Sequence, residues 1–136
     1  MKICIVQTQS LKGDIQFNIK NHLKIIERAV EFNADLIVFP ELSITNYEPK
    51  LAKDLFLNEG DFLFQSFQKI SDSQKVTIGV GIPTKSDEGI QISMLIFRPN
   101  TTSLVYSKQL LHSYELPYFV AGKSQIVLNI KAEKIA

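Results

Sequence analysis

The chain has 136 residues, 45% of them hydrophobic and 21% charged, which is the composition of one ordinary globular domain. Its 15 basic and 14 acidic residues nearly balance, which argues against a surface for nucleic acid or anionic membrane, because either needs a basic excess. The single cysteine, Cys4, excludes an intramolecular disulfide and a thiolate metal cluster. No apolar stretch is long enough for a signal peptide or a membrane-spanning helix, so we expect a cytoplasmic protein.

The first part of the chain predicts two parallel strands joined by a helix. "KICIVQT" (2–8) is rich in β-formers and predicts a first strand. Residues 14–33 carry the apolar stripe of an amphipathic helix, and "DLIVFP" (35–40) predicts a second strand. A helical crossover between two strands implies that they pair in parallel.

The second part of the chain predicts antiparallel strands after one more helix. Asp61 can cap a helix that continues to about Lys75. Strands are then predicted over residues 76–83, 90–98 and 103–111, separated by the short turns "TKSDEG" and "PNTT", with two further strands over 124–130 and 133–136. Short turns join antiparallel neighbours, so we predict a mixed sheet. This prediction argues against a flavodoxin-type cofactor-binding domain, whose sheet is all-parallel.

Two charged residues occupy positions that need an explanation. Glu41 directly follows the apolar run Leu36–Pro40, and the carboxyl ends of parallel strands form the usual ligand crevice of an α/β sheet. Glu41 is therefore either a solvated loop residue or a group held there to move a proton. Lys108 lies in a largely apolar strand, where it must either face water at an edge or pair with a carboxylate, since burying an ammonium costs several kcal/mol.

The other polar candidates each have an ordinary structural explanation. His112 can serve as a base or a ligand, or only as polar packing beside a loop, and Glu115 precedes a proline-containing aromatic loop. Cys4 is expected to be a small core residue rather than a reactive thiol. Gly79 and Gly81 lack the third glycine of a phosphate cradle, so we expect them to let a helix approach the strand.

Four segments together resemble one family. "DLIVFPELSITNY" resembles the glutamate motif of the nitrilase (carbon–nitrogen hydrolase) superfamily, and "YSKQLLHSYELPYFVAG" resembles its lysine motif. "KICIVQTQ" and "IGVGIP" also fit that family, in the same order. Asn46 stands where many relatives have glycine, and asparagine tolerates the left-handed backbone of that turn. Ser107 stands where relatives often carry arginine or histidine, which leaves the substrate open.

The resemblance implies an α/β fold, the N-terminal half of an α-β-β-α sandwich with a mixed sheet. It also implies a Glu–Lys–Cys triad that cleaves a non-peptide C–N bond of a small amide, nitrile or N-carbamoyl compound, without metal or cofactor. Glu41 would be the general base, Lys108 the cation facing the oxyanion, and Glu115 a second glutamate that orients the lysine or assists the base. Tyr47 and His112 would contact the substrate. A homodimer or higher homo-oligomer is implied as well.

The same resemblance places the catalytic cysteine after a strand like "KIA", which here ends the sequence at Ala136. We therefore expect residues 1–136 to form a single hydrolase domain that is incomplete at its C-terminus and inert alone, and the gene to continue. The alternative is a truncated or degenerate relative that serves as a non-catalytic binding or interaction module.

Overall fold

A computed structural model describes every residue from Met1 to Ala136. The chain forms three α-helices, α1 (Ile15–Glu31), α2 (Ala52–Leu55) and α3 (Gln65–Gln74), with short 3-10 turns at Pro49–Leu51 and Phe62–Phe64. Its seven strands are β1 (Ile3–Ile5), β2 (Leu36–Val38), β3 (Thr77–Ser86), β4 (Gly89–Phe97), β5 (Leu104–Ser107), β6 (Leu128–Ile130) and β7 (Glu133–Ile135). No helix combines the length and apolar character needed to cross a membrane.

Five strands form one sheet in the order β1-β2-β3-β4-β5. β1, β2 and β3 are parallel, whereas β3, β4 and β5 are antiparallel neighbours. The predicted mixed sheet is therefore confirmed, and an all-parallel flavodoxin-type sheet is excluded. Because β1 and β2 are parallel, their carboxyl ends lie at the same edge of the sheet.

An aspartate side chain caps α1, and another caps the 3-10 turn that leads into α3. Asp14 Oδ1 accepts from the Phe17 N–H at 3.0 Å, and Asp61 Oδ1 accepts from the Leu63 N–H at 3.2 Å. Such caps satisfy N–H groups that the first helical turn leaves without partners. The segment after Asp61 starts as a 3-10 turn, and α3 ends when Lys75 adopts a left-handed conformation.

The main core lies between the helices and one face of the sheet, where 16 buried residues cluster around Ile26, Ile78 and Phe97. Cys4 is partly buried and packs against this cluster, close to the core position expected for it. Its neighbours in β1 point the other way: Ile3 and Ile5 are 47% and 82% exposed on the opposite face of the sheet.

A hairpin formed by β6 and β7 covers part of that second face. The hairpin turns at two residues in left-handed conformations, and its Lys131 and Glu133 form ion pairs with Asp35 and the Met1 α-amine. Between sheet and hairpin lies an apolar groove of about 420 Å³, lined by residues that include Val38, Met94, Ile96, Tyr106, Val127 and Ile135.

Gly81 allows the loop after β2 to lie directly on β3. A Cβ atom at Gly81 would come closer than 3.0 Å to the Pro40 carbonyl oxygen and the Leu42 backbone nitrogen. At Gly79 the nearest atoms belong to the Met94 side chain. The prediction that these glycines admit a helix is wrong: the element that needs the space at Gly81 is the turn that carries Glu41.

A buried histidine connects α1 to the same turn. His22 is fully buried, with Nδ1 2.7 Å from the Asn18 carbonyl oxygen and Nε2 2.9 Å from Ser43 Oγ. Burial disfavours the charged ring and outweighs the hydrogen bond to Asn18, so the pKa of His22 falls from 6.5 to about 4. The imidazole is therefore neutral at pH 7.

We expect Gly81→Ala to destabilise the protein and displace the turn after β2. The new methyl group would meet backbone atoms, which cannot move aside as a flexible side chain can, so a cost of about 3 kcal/mol or more is expected. Gly60→Ala is the control, because nothing lies within 4 Å of a Cβ at that position. Urea unfolding of both variants checks this, and equal stabilities would contradict it.

We also expect His22 to make folding acid-sensitive. Below pH 6.5 the unfolded chain binds a proton at His22, whereas the folded chain does so only below about 4. The free energy of unfolding should therefore fall as the pH drops through this window, by about 3 kcal/mol in total. Three carboxyl groups also have a lowered pKa in the fold: Asp35, Asp72 and Glu115. They reduce the free energy of unfolding only once the pH falls below their ordinary pKa values of 3.8 to 4.5.

Urea unfolding at pH 7 and pH 5 should show about 2 kcal/mol of this loss in the wild type but none of it in His22→Gln, which has no titrating ring. His112→Gln is the matched control, because His112 is the other histidine and is exposed. The same pH slope in wild type and His22→Gln would rule this explanation out.

Candidate functional site

The centre of the site is an ammonium group held between two carboxylates. Lys108 Nζ lies 3.0 Å from Glu41 Oε2 and 2.9 Å from Glu115 Oε1. The structure thus brings together the three charged residues that the sequence analysis selected for catalysis. Of the two alternatives for Lys108, the structure shows the carboxylate partner, as partial burial of an ammonium requires.

Three separate segments deliver these side chains to one edge of the sheet. Glu41 follows β2 in the turn that lies on Gly81. Lys108 follows β5, where its N–H donates to the Ile92 carbonyl oxygen at 2.8 Å and its own carbonyl oxygen accepts from the Gly122 N–H at 2.8 Å. These backbone bonds on both sides fix the start of the lysine side chain.

Glu115 is the buried member of the site. Its side chain is only 1% exposed, and besides Lys108 it accepts hydrogen bonds from the Tyr47 hydroxyl at 2.9 Å and the His112 backbone N–H at 2.7 Å. Burial acts to raise the pKa of Glu115, but Lys108 and these donors outweigh it and hold the pKa below its usual value. Glu115 is therefore an ionised, fully engaged carboxylate.

Lys108 is charged for the same reason. Partial burial acts to lower its pKa, but the hydrogen bonds to Glu115 and Glu41 prevail and raise the pKa above its usual value. Its side chain is 30% exposed, so the ammonium can still meet a ligand. Lys108 can thus offer a fixed positive charge, and it cannot act as a base at neutral pH.

Glu41 differs from Glu115 in its exposure. The Glu41 side chain is 37% exposed, and its contact with Lys108 leaves oxygen lone pairs free. A carboxylate with open positions beside a fixed cation can accept a proton from a bound molecule and return it. The geometry separates an accessible carboxylate from a buried one.

Tyr47 and His112 have positions that the sequence did not indicate. Burial and the neighbouring Glu115 raise the pKa of Tyr47, so its hydroxyl stays protonated and donates to that carboxylate. The His112 ring packs against Tyr114 with centroids 4.9 Å apart, and it is the backbone N–H of His112 that contacts Glu115. Asn46 has φ 64°, the left-handed conformation expected of it.

Cys4 lies away from this cluster. It packs against the core beneath the helices, whereas Tyr106, two residues before Lys108, lines the groove on the other face of the sheet. No group of three or more His, Cys, Asp or Glu side chains is arranged to hold a metal ion.

Sequence reasoning missed Asn18, His22 and Ser43, which lie behind the Glu41 turn. Asn18 Nδ2 donates to the Ile44 carbonyl oxygen at 2.9 Å, and His22 contacts Ser43. One available indication was the pair of polar residues at i and i+4 beside the apolar stripe of α1, a spacing that places both on one helix face.

We expect Glu115→Gln to destabilise the fold far more than the loss of a surface charge. The amide removes the charge that balances Lys108 and turns an N–H group toward existing donors, so a cost of about 2 to 4 kcal/mol is expected. Glu88→Gln is the control, because the Glu88–Lys123 pair is exposed and should contribute under about 1 kcal/mol. Chemical denaturation of both variants checks this; equal losses would show that Glu115 contributes no more than a surface ion pair.

Sequence comparisons place the chain among known proteins. The family model for carbon–nitrogen hydrolases matches residues 2–131. A glutamine-dependent NAD(+) synthetase of Acinetobacter baylyi is 29% identical over 98% of this chain, and one of Aquifex aeolicus is 25% identical over 100%. The chain spans about a quarter of the length of these relatives (25% of each).

Solved structures agree on the fold. The NitN amidase of Nesterenkonia sp. AN1 superposes on 98% of this chain with a TM-score of 0.83 at 22% identity, and the match covers 55% of the amidase. Nit3 of Saccharomyces cerevisiae, described as a member of branch 10 of the nitrilase superfamily, gives a TM-score of 0.85 at 20% identity over 98% of this chain and 53% of its own. With a family match over nearly its whole length and the nitrilase fold, this chain belongs to the carbon–nitrogen hydrolase family.

Proposed function

We propose that this chain supplies the base and the oxyanion-stabilising cation of an enzyme that hydrolyses a small carboxamide. The observation that carries the proposal is the position of Lys108 Nζ, 3.0 Å from an accessible Glu41 and 2.9 Å from a buried Glu115. A cation this close to a base can stabilise a negative oxygen while the base handles the proton.

In the proposed reaction, Glu41 takes the proton of a cysteine thiol as sulfur bonds to the amide carbon. The oxygen that becomes negative faces Lys108. The C–N bond then breaks, Glu41 returns the proton to nitrogen, and ammonia leaves a thioester behind. Glu41 next takes a proton from water, whose oxygen attacks the thioester, and the carboxylic acid is released as the proton returns to sulfur.

The nucleophile in this proposal is a cysteine other than Cys4, which packs into the core on the helix side. Lys108 and Glu115 do not exchange protons. Glu115 holds the Lys108 ammonium through a buried ion pair. Hydrogen bonds from the Tyr47 hydroxyl and the His112 N–H hold Glu115 in place.

Among C–N substrates, a primary carboxamide has the most support. The curated relatives are named as glutamine-dependent synthetases, and the Nesterenkonia structures are of an amidase. One of those structures describes covalent addition of the acetamide moiety of fluoroacetamide at the active-site cysteine of that amidase. We propose the side-chain amide of glutamine as the first substrate to test, with short aliphatic amides second.

A second candidate function is a non-catalytic binding or interaction module. The open apolar face of the sheet, with Ile5 82% exposed, is a surface on which another copy of the protein can assemble.

We expect Glu41→Gln to abolish ammonia release from the chosen amide in the gene product that carries this chain. Glutamine keeps the shape but cannot accept the proton, so a loss of at least about 100-fold in kcat is expected. The fold should stay intact, since a partly exposed ion pair contributes under about 1 kcal/mol.

Glu59→Gln is the matched control, because Glu59 is an exposed glutamate outside the site. Full turnover in Glu41→Gln would mean that Glu41 is not the base. A folded wild-type protein with no turnover of any amide would support the interaction-module function instead.

A further inference from the structure

The turn that presents Glu41 holds a residue in an unfavourable backbone conformation. Leu42 has φ 52°, a left-handed value that is strained for a residue with a Cβ. Such a conformation persists only where surrounding contacts enforce it. Backbone hydrogen bonds support the turn: the Ser43 N–H donates to the Pro40 carbonyl oxygen at 3.2 Å, the Thr45 N–H to the Leu42 carbonyl oxygen at 3.1 Å, and the Ile44 N–H to the Gly81 carbonyl oxygen at 3.0 Å. Side chains add to this support at Ser43.

Ser43 is held from both sides by groups outside the turn. Its Oγ lies 2.9 Å from His22 Nε2, and its carbonyl oxygen accepts a hydrogen bond from Ser10 Oγ. The His22 ring stacks on Phe39 with centroids 4.1 Å apart, so it cannot swing away.

The partners of His22 determine which ring nitrogen carries the proton. The Asn18 carbonyl oxygen can only accept, so Nδ1, 2.7 Å away, is the protonated nitrogen. In the neutral ring Nε2 then accepts, and the Ser43 hydroxyl donates to it. The hydrogen bond is therefore donated by Ser43 in the turn and accepted by His22 in helix α1.

We infer that His22 and Ser43 position Glu41: the buried hydrogen bond from Ser43 to His22 holds the strained turn in the one conformation that places the Glu41 carboxylate on Lys108. His22 is thus a positioning residue and touches neither Lys108 nor any reacting atom. The inference rests on the proposed role of Glu41 for its catalytic meaning, but the geometry it predicts can be measured without turnover.

The measurement is the acetylation rate of Lys108 by a water-soluble N-hydroxysuccinimide ester, followed residue by residue with mass spectrometry. Only the uncharged amine reacts, so each contact that favours the ammonium slows the reaction. If Ser43→Ala lets Glu41 leave Lys108, the pKa of Lys108 drops because one of its two carboxylate partners is lost, and labelling is expected to speed up about threefold. Ser43→Thr keeps the hydroxyl and should label at the wild-type rate.

Ser71→Ala is the matched control for general destabilisation. Ser71 is also a fully buried serine with one hydrogen bond, from its Oγ to the Val76 carbonyl oxygen at 2.7 Å, but it lies in α3. Its loss should leave Lys108 labelling unchanged. Ser10→Ala, which removes the second support of Ser43, is a milder variant of the same turn and should raise labelling less than Ser43→Ala.

A double-mutant cycle decides whether the effect passes through Glu41. Glu41→Gln alone should raise Lys108 labelling, and Ser43→Ala added to it should raise labelling no further. Wild-type labelling in Ser43→Ala would overturn the inference, and so would an equal rise when Ser43→Ala is added to Glu41→Gln. Loss of turnover in Glu41→Gln is a separate result, so either proposal can fail without the other.

Discussion

The charge balance around Lys108 is the constraint on which the site depends. A lysine ammonium that is mostly withdrawn from water must be compensated, and here two carboxylates on separate loops do so. The cluster of one cation and two anions carries a net negative charge. Because Glu115 is buried and engaged by three donors, Lys108 stays where it is while Glu41 can engage other groups. Fixing the cation with one carboxylate leaves the second available for chemistry.

The position of Glu41 depends on a close approach between two backbone segments. The loop after β2 lies on β3 because Gly81 has no side chain, and the residue after Glu41 adopts a conformation that its own chemistry disfavours. Hydrogen bonds between helix α1 and this loop, one donated by Asn18 and one accepted by His22, then offset that cost. The precision of the Glu41 position thus comes from contacts on the side of the loop that faces away from Lys108.

Much of this architecture could be predicted from the sequence, because its determinants are local. The apolar run before Glu41 and the turn residues between β3 and β5 predicted a mixed sheet. The cost of an unpaired ammonium left Lys108 either a solvated edge or a carboxylate partner. The resemblance identified Glu41 and Glu115 as its implied partners. The backbone donor at His112 and the buried His22 contact could not be predicted, since they depend on how distant segments approach one another. Gly81 was misassigned for the same reason: a glycine predicts close approach but not which element approaches.

The edge position of β1 bears on how the protein behaves at high concentration. β1 pairs with β2 on one side only, so its other side leaves backbone N–H and C=O groups without strand partners. Three residues next to the charged Lys2 give an incoming strand little to bind, which disfavours growth of the sheet by strand addition. The exposed Ile5 side chain instead projects from the face of the sheet that lies opposite the helices. The surface that these residues offer to another molecule is thus the face of the sheet and not its edge, and a charged substitution at Ile5 is the change best placed to make that face polar.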